Sequence, residues 1–309
     1  MSIKAVPDGK EKLSPAVLMI GASLLFATMG ACVKFASANY GTAEIVFYRG
    51  IVGAMMMALV IHVRGGTLRT NFPAMHAWRS LTGVSALGLW FYAIGELPLA
   101  TAVTLNYMAP VWMALLLVGA SALLGGGRVD ARLVCTVLVG FAGVMCVLQP
   151  TMERHQLWGG LMGLLSGLLA ALAYLQVTAL GKTGEPEDRI VFYFSVGSIS
   201  AGAVVASLIS EWHSHTLQGM GMLLAVGVLA TLAQLMMTSA YRTGRTLANA
   251  SLQYLGIIWS FLYGVLLFDD PVTGLAVLGM GLIAMAGIVA ARLRESITAA
   301  SRIDTTLGS

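Results

Sequence analysis

Two places in this 309-residue chain put a side-chain amide next to a phenol inside long apolar runs: Asn106-Tyr107 and Gln253-Tyr254. Neither place holds a nucleophile with a base, and neither has the spacing of a metal-ligand set. What these groups can do is hydrogen-bond a polar solute, because amides and phenols each donate and accept. A buried amide or hydroxyl without a partner costs about 1–3 kcal/mol on mutational scales. A chain that accepts this cost at matching places in its two halves is expected to hold a polar site between them.

The match is not confined to these pairs. Laying Ala100–Trp112 over Leu247–Trp259 puts Leu105, Tyr107 and Trp112 on Leu252, Tyr254 and Trp259. Ile45-Val46-Phe47-Tyr48 recurs letter for letter as Ile190-Val191-Phe192-Tyr193. Leu18, Met19, Ser23, Leu25 and Ala27 reappear as Leu161, Met162, Ser166, Leu168 and Ala170, and Ala142-Gly143 as Ala286-Gly287.

Composition says what kind of element carries the repeat. The chain is 58% apolar and 10% charged, with a mean hydropathy of +0.83, whereas a soluble domain carries about 25% charged residues. So few charges cannot cover a water-facing surface, so the bilayer is the expected solvent. Apolar runs near the 17–25 residues needed to cross hydrocarbon recur along the whole length, at about 15–37, 44–63, 74–94, 99–122, 132–148, 157–180, 190–209, 218–240, 247–267 and 273–291. The short polar/apolar alternation of a membrane β-barrel is absent. The expected fold is an all-α membrane protein with ten transmembrane helices as two inverted five-helix repeats. Five is odd, so the second half enters the bilayer upside down relative to the first. The expected boundaries are a tail at 1–14, a first repeat at 15–150, a second at 156–292 and a tail at 293–309.

Orientation follows from Lys and Arg. Lys4, Lys10, Lys12, Arg64, Arg69, Arg79, Arg128, Arg132, Lys182, Arg189, Arg242, Arg245, Arg292, Arg294 and Arg302 fall on one side. Arg154 falls on the other, and Lys34 and Arg49 lie within spans. Both termini are therefore expected in the cytoplasm, and the net charge of +4 needs no nucleic-acid partner. The polar N-terminus lacks the pattern of a removable signal peptide. Cys32, Cys135 and Cys146 lie in apolar runs and read as small buried hydrophobes, with no cofactor implied.

The chain resembles the drug/metabolite transporter superfamily, specifically its EamA-type members with ten helices. The residues that carry the resemblance are Glu44 with Phe47-Tyr48-Arg49-Gly50, the run from Glu96 to Trp112 (ELPLATAVTLNYMAPVW), and the Ala-Gly pairs at 142–143 and 286–287. The resemblance implies a bacterial inner-membrane carrier of amino acids or related compounds, with export as the direction. Such proteins often repeat the Pro110 kink in the second half, but position 257 is Ile, so a matching kink has no proline to produce it.

Candidate substrate-binding residues are Asn106, Tyr107, Gln253, Tyr254, Trp90, Tyr174, Gln234, Lys34 and Arg49. Each has an alternative. Asn106 can answer the carbonyl that Pro110 leaves unbonded, and the phenols can simply pack. Lys34 can snorkel to headgroups. Arg49 can bind a carboxylate or pair with Glu44, the residue assigned to ion pairing or coupling. His213, His215, Asp269 and Asp270 read as solvated loop tips, and Gly163-xxx-Gly167 as a small-residue packing face. Intramembrane charges mark functional sites by default. No acidic residue lies at mid-depth, which leans against an obligatory proton relay.

The function expected is a secondary transporter of a small polar or amphipathic metabolite working by alternating access. A lipid or nucleotide-sugar carrier on the same scaffold stays open, as does dimerisation through the last span of each half. An intramembrane enzyme is disfavoured because no H-E-x-x-H, no G-x-S-x-G and no paired mid-span aspartates occur, and the absence of a P-loop disfavours ATP-driven pumping by this chain alone. The partners expected are a small molecule and membrane lipid.

Overall fold

A computed structural model describes residues 13–97, 99–124, 130–149, 156–209, 212–268 and 272–307. Every regular element among them is a helix. In order they are α1 (Pro15–Ala36), α2 (Thr42–Val63), α3 (Pro73–Glu96), α4 (Leu99–Asn106), α5 (Ala109–Leu124) and α6 (Ala131–Leu148). The second half holds α7 (Leu157–Lys182), α8 (Glu187–Leu208), α9 (Leu217–Thr243), α10 (Thr246–Gln253), α11 (Leu255–Phe268) and α12 (Gly274–Leu307).

Local signals set many of the ends. Ser14 caps α1 by accepting from the Val17 N–H at 3.3 Å, with Pro15 in the first turn. Asp130 does the same for α6 through Arg132, and Thr216 for α9 through Gly219. Gly65 after α2 and Gly184 after α7 take positive φ, 67° and 82°, a left-handed conformation that other residues adopt only with strain.

Eight segments among the described residues are long and apolar enough to cross a bilayer. Long apolar side chains such as Leu59, Leu123, Leu208 and Leu266 point outward on these helices. An exterior of this kind matches lipid and would be unstable in water. The protein is an all-α, multi-pass membrane protein. Cys135 is exposed on this exterior and Cys32 and Cys146 are half-buried, so the cysteines are less enclosed than their apolar surroundings suggested.

Helices from the two halves interlock. α1 packs along α9, α2 along α8, α3 along α7, and α6 along α12. The last span of each half, expected to offer a dimer face, thus packs on its counterpart within one chain. α2 and α8 carry the two copies of the Ile-Val-Phe-Tyr motif. Ile45, Val46, Ile190 and Val191 are all buried, so the same letters turn inward in both. The main core joins Met19 of α1, Met113 of α5, Leu180 of α7, Tyr241 of α9 and Leu252 of α10. α12 continues helically to Leu307, through the segment expected as a tail.

Candidate substrate site

The helix break between α4 and α5 falls at Tyr107 and Met108. Pro110 has no N–H for the Asn106 carbonyl, and its ring crowds that carbonyl in an unbroken helix. The break nests against α7, where a Cβ added at Gly167 would stand 2.7 Å from the Leu105 carbonyl oxygen. The Gly163-xxx-Gly167 face therefore seats the break. Asn106 does not turn back to its own carbonyl. Its Nδ2 donates to Ser166 Oγ at 3.2 Å, and Ser166 Oγ donates to the Gly163 carbonyl at 2.6 Å.

A second break separates α10 from α11 at Tyr254, although Ile257 stands where a proline would. Here the ladder tightens to the i→i−3 pattern: Tyr254 N–H bonds Ser251 O at 3.3 Å and Ile257 N–H bonds Tyr254 O at 3.0 Å. The kink thus arises without the residue that signals it. Tyr254 is fully buried, and its ring stacks on Tyr107 with centroids 6.3 Å apart. These two tyrosines are repeat equivalents, and they meet.

Beside them, Gln253 ties α10 to two other helices. Its Nε2 donates to the Tyr174 phenol at 2.9 Å, and its Oε1 accepts from the Tyr241 phenol at 3.3 Å. The two phenol rings stack on each other, 5.5 Å apart and 7° from parallel.

Arg49 of α2 and Arg79 of α3 both approach the ring of Phe194 on α8, their guanidinium carbons 5.6 and 4.1 Å from its centroid. Arg79 is 3% exposed, and its Nε and Nη1 make no hydrogen bond among the described residues. A small cavity lies against this group, lined by Arg49, Phe194, Ser195, Ser198, Thr231 and the buried Gln234. It has room for about one water. Close by, Thr82 of α3 donates to Gln176 of α7 at 3.1 Å.

Lys34 is exposed in the last turn of α1, and Trp90 is half-buried in α3. Glu44 corrects an expectation. It is 0% exposed and pairs with His213, accepting from Nδ1 at 2.9 Å and from the backbone N–H at 3.4 Å. Residues five apart on a helix point about 140° away from each other, so Glu44 faces the α8–α9 connection while Arg49 faces Phe194. His215 likewise docks, bonding Tyr48 Oη at 2.8 Å and stacking on Tyr40. These histidines are exposed in the α8–α9 connection, as expected of loop residues, and also fasten it to α2, whereas Asp269 and Asp270 lie outside the described residues.

At the opposite end of α2 a second fastening joins the halves. Glu185 accepts from His76 at 3.0 Å and from Arg189 at 3.2 Å. Arg189 Nε donates to the Thr67 carbonyl at 3.0 Å and Tyr193 Oη to the Leu68 carbonyl at 2.9 Å.

The sequence reading missed Arg79 by counting it as a cytoplasmic flank, although it falls inside the apolar run at 74–94. It also passed over Phe194, which the repeat aligns with Arg49, and Tyr241.

A family model described as the EamA-like transporter family matches residues 13–149. The pseudopaline exporter CntI of Pseudomonas aeruginosa strain PAO1 is 31% identical over 288 residues, spanning 91% of this chain and 97% of that protein. The chain belongs to the EamA-like transporter family. Within the wider drug/metabolite transporter superfamily, an S-adenosylmethionine uptake transporter of Rickettsia bellii is 22% identical over 241 residues, 77% of this chain and 79% of that one. A solved crystal structure superposes with a TM-score of 0.78 at 20% identity, covering 92% of this chain and 100% of that one, and shares the fold. The EamA relatives named as transporters point to transport rather than catalysis.

Proposed function

We propose that this protein is a secondary transporter that moves a small polar or amphipathic metabolite, an amino acid or related compound, out across the bacterial inner membrane by alternating access. Its two halves, residues 15–150 and 156–292, act as inverted five-helix repeats with both termini in the cytoplasm. One observation carries this reading: repeat-equivalent residues meet in the interior. Arg49 lies against Phe194 and Tyr107 stacks on Tyr254, as they would near an axis relating inverted halves. Substrate sites lie at that interface in inverted-repeat carriers.

The two fastenings fit the same cycle. Glu44 opens α2 and Arg64 follows its end, so the Glu44–His213 and Arg64–Asp188 contacts are separated by about 30 Å of helix. Between them the cavity holds no more than a water or so, so a substrate enters only when one fastening parts. The amide and phenols of Gln253, Tyr174 and Tyr241 would then turn to the substrate, with Asn106, Gln234 and Tyr107 lining the path. The relatives named as a pseudopaline exporter and an S-adenosylmethionine uptake transporter support small-molecule transport. They differ in direction, and export here follows the more similar of the two.

Purified protein in proteoliposomes, offered a panel of labelled amino acids and related metabolites, should accumulate at least one. Conversion of a panel member with no translocation would overturn the reading. So would loss of no activity in Gln253→Ala and Asn106→Ala together.

A further inference from the structure

We infer that the Arg49–Phe194–Arg79 group is an anion site built for two acidic groups at once, so that the substrate of the transport reading above, on which this inference rests, is a small dicarboxylate-bearing metabolite. Arginine keeps its charge at any pH a protein survives. Two permanent positive charges therefore sit in the bundle, Arg79 buried and Arg49 half-buried, their guanidinium carbons within about 10 Å of each other, the sum of their distances to the shared ring centroid. Like charges so placed repel, and the Phe194 ring offsets only part of the cost.

No described carboxylate neutralises them. The ion pairs of Glu44, Asp130, Glu185, Glu187 and Asp188 go to His213, Arg245, His76 with Arg189, Arg242 and Arg64 respectively. Arg79 in particular keeps two nitrogens without hydrogen bonds in a setting where such donors are normally satisfied. Nε and Nη1 stand on different edges of the guanidinium, so each edge keeps an N–H open to a carboxylate oxygen.

The surroundings suit the rest of such a ligand. Ser195, Ser198, Thr231 and Gln234 line the adjoining cavity with hydroxyls and an amide. The Tyr174 phenol and the Gln253 amide, bonded to each other at 2.9 Å, add further polar groups within the bundle. A single carboxylate would satisfy one guanidinium and leave its neighbour uncompensated. Two carboxylates match the pair.

The test uses purified full-length protein and the straight-chain dicarboxylates from malonate to pimelate, each beside its uncharged diamide at equal ionic strength. At least one dicarboxylate is expected to raise the melting temperature well beyond its diamide. Arg79→Gln and Arg49→Gln should each weaken binding about tenfold or more. If Arg79→Gln does not fold, Arg79→Lys and Arg49→Lys keep the charge but lose the planar fork, and both should still weaken binding. Diamides that stabilise as well as the diacids, no stabilisation by any diacid, or unchanged binding in the folded arginine variants would each overturn the inference. Accumulation of a neutral metabolite without diacid binding removes this inference and leaves the transporter reading standing. Diacid binding with no translocation of any panel member keeps the anion site but removes the transporter reading, and with it the assignment of the diacid as a transported substrate.

Discussion

Arg49 and Phe194 hold the same position in the two copies of the Phe-Tyr motif, and in the folded chain the guanidinium of one lies 5.6 Å from the ring of the other. A duplicated sequence has here diverged into a complementary pair. Phe194→Leu should lower stability, because a desolvated cation–ring contact contributes about 2 kcal/mol and this ring serves two cations. A double-mutant cycle with Arg49→Gln, read by denaturant or thermal unfolding, should show coupling above about 0.5 kcal/mol. Strict additivity would mean the ring merely fills space.

The Gln253 bridge predicts a different signature. Gln253→Leu keeps the volume but removes the bonds to the half-buried Tyr174 phenol and the buried Tyr241 phenol. Loss of such bonds costs about 1–3 kcal/mol, so the melting temperature should fall, and transport should fall further than stability explains. Transport unchanged in a folded Gln253→Leu protein would separate this bridge from the substrate path.

His213 is 47% exposed but caps a carboxylate that is 0% exposed. Removing it leaves the buried Glu44 carboxyl without its imidazole hydrogen bond, at a cost of about 1.5–3 kcal/mol. His213→Ala should therefore loosen the α8–α9 connection. A cysteine introduced at Ser214 should react faster with a membrane-impermeant maleimide in that background. Equal labelling rates would show that the contact fastens nothing.

The other fastening responds to acid. Burial alone pushes the Glu185 carboxyl up, but hydrogen bonds from His76, Thr70 and Arg189 outweigh it, and the group ends below the usual carboxylate range. A carboxylate lowered by folding contributes stability above its unfolded pKa and loses it as pH falls through the folded value. Melting temperature should decline through and below the ordinary carboxylate range in the natural protein. Glu185→Gln should start lower at neutral pH and decline less. Parallel curves would remove Glu185 from the account.

Gly167→Val should disturb the proline break at a distance. A Cβ there meets the Leu105 carbonyl oxygen, a backbone atom that cannot swing aside. Overpacking of this sort costs about 1–3 kcal/mol, and the variant should show a lower melting temperature with the Asn106–Ser166 contact displaced. A melting temperature equal to that of the natural protein would show that α4 and α5 shift freely.

How much of this was legible before folding depended on whether the signal was local. The apolar runs, the duplicated motifs and the kink at Pro110 are properties of neighbours along the chain. The packing role of Gly163 and Gly167 was equally readable from their spacing. The kink at Tyr254 was not, since Ile257 carries no steric demand and the ladder tightens only within the packed bundle. Glu44 looked like a partner for Arg49 by proximity in sequence, yet helical geometry turns the two to different faces. Arg79 was hidden by a rule that counts arginines near span ends as surface charges, without knowing how far down the helix the bilayer or the neighbouring helix reaches.

The amino-acid order by itself determined that the chain is helical, lives in lipid and is doubled, because hydrophobic run length and self-similarity need no partner to be read. Tertiary structure alone decided that Arg49, Arg79 and Phe194 share one place, and that His213 closes on Glu44. Those contacts join residues from different helices, and their geometry exists only once the helices have chosen their neighbours and their rotation.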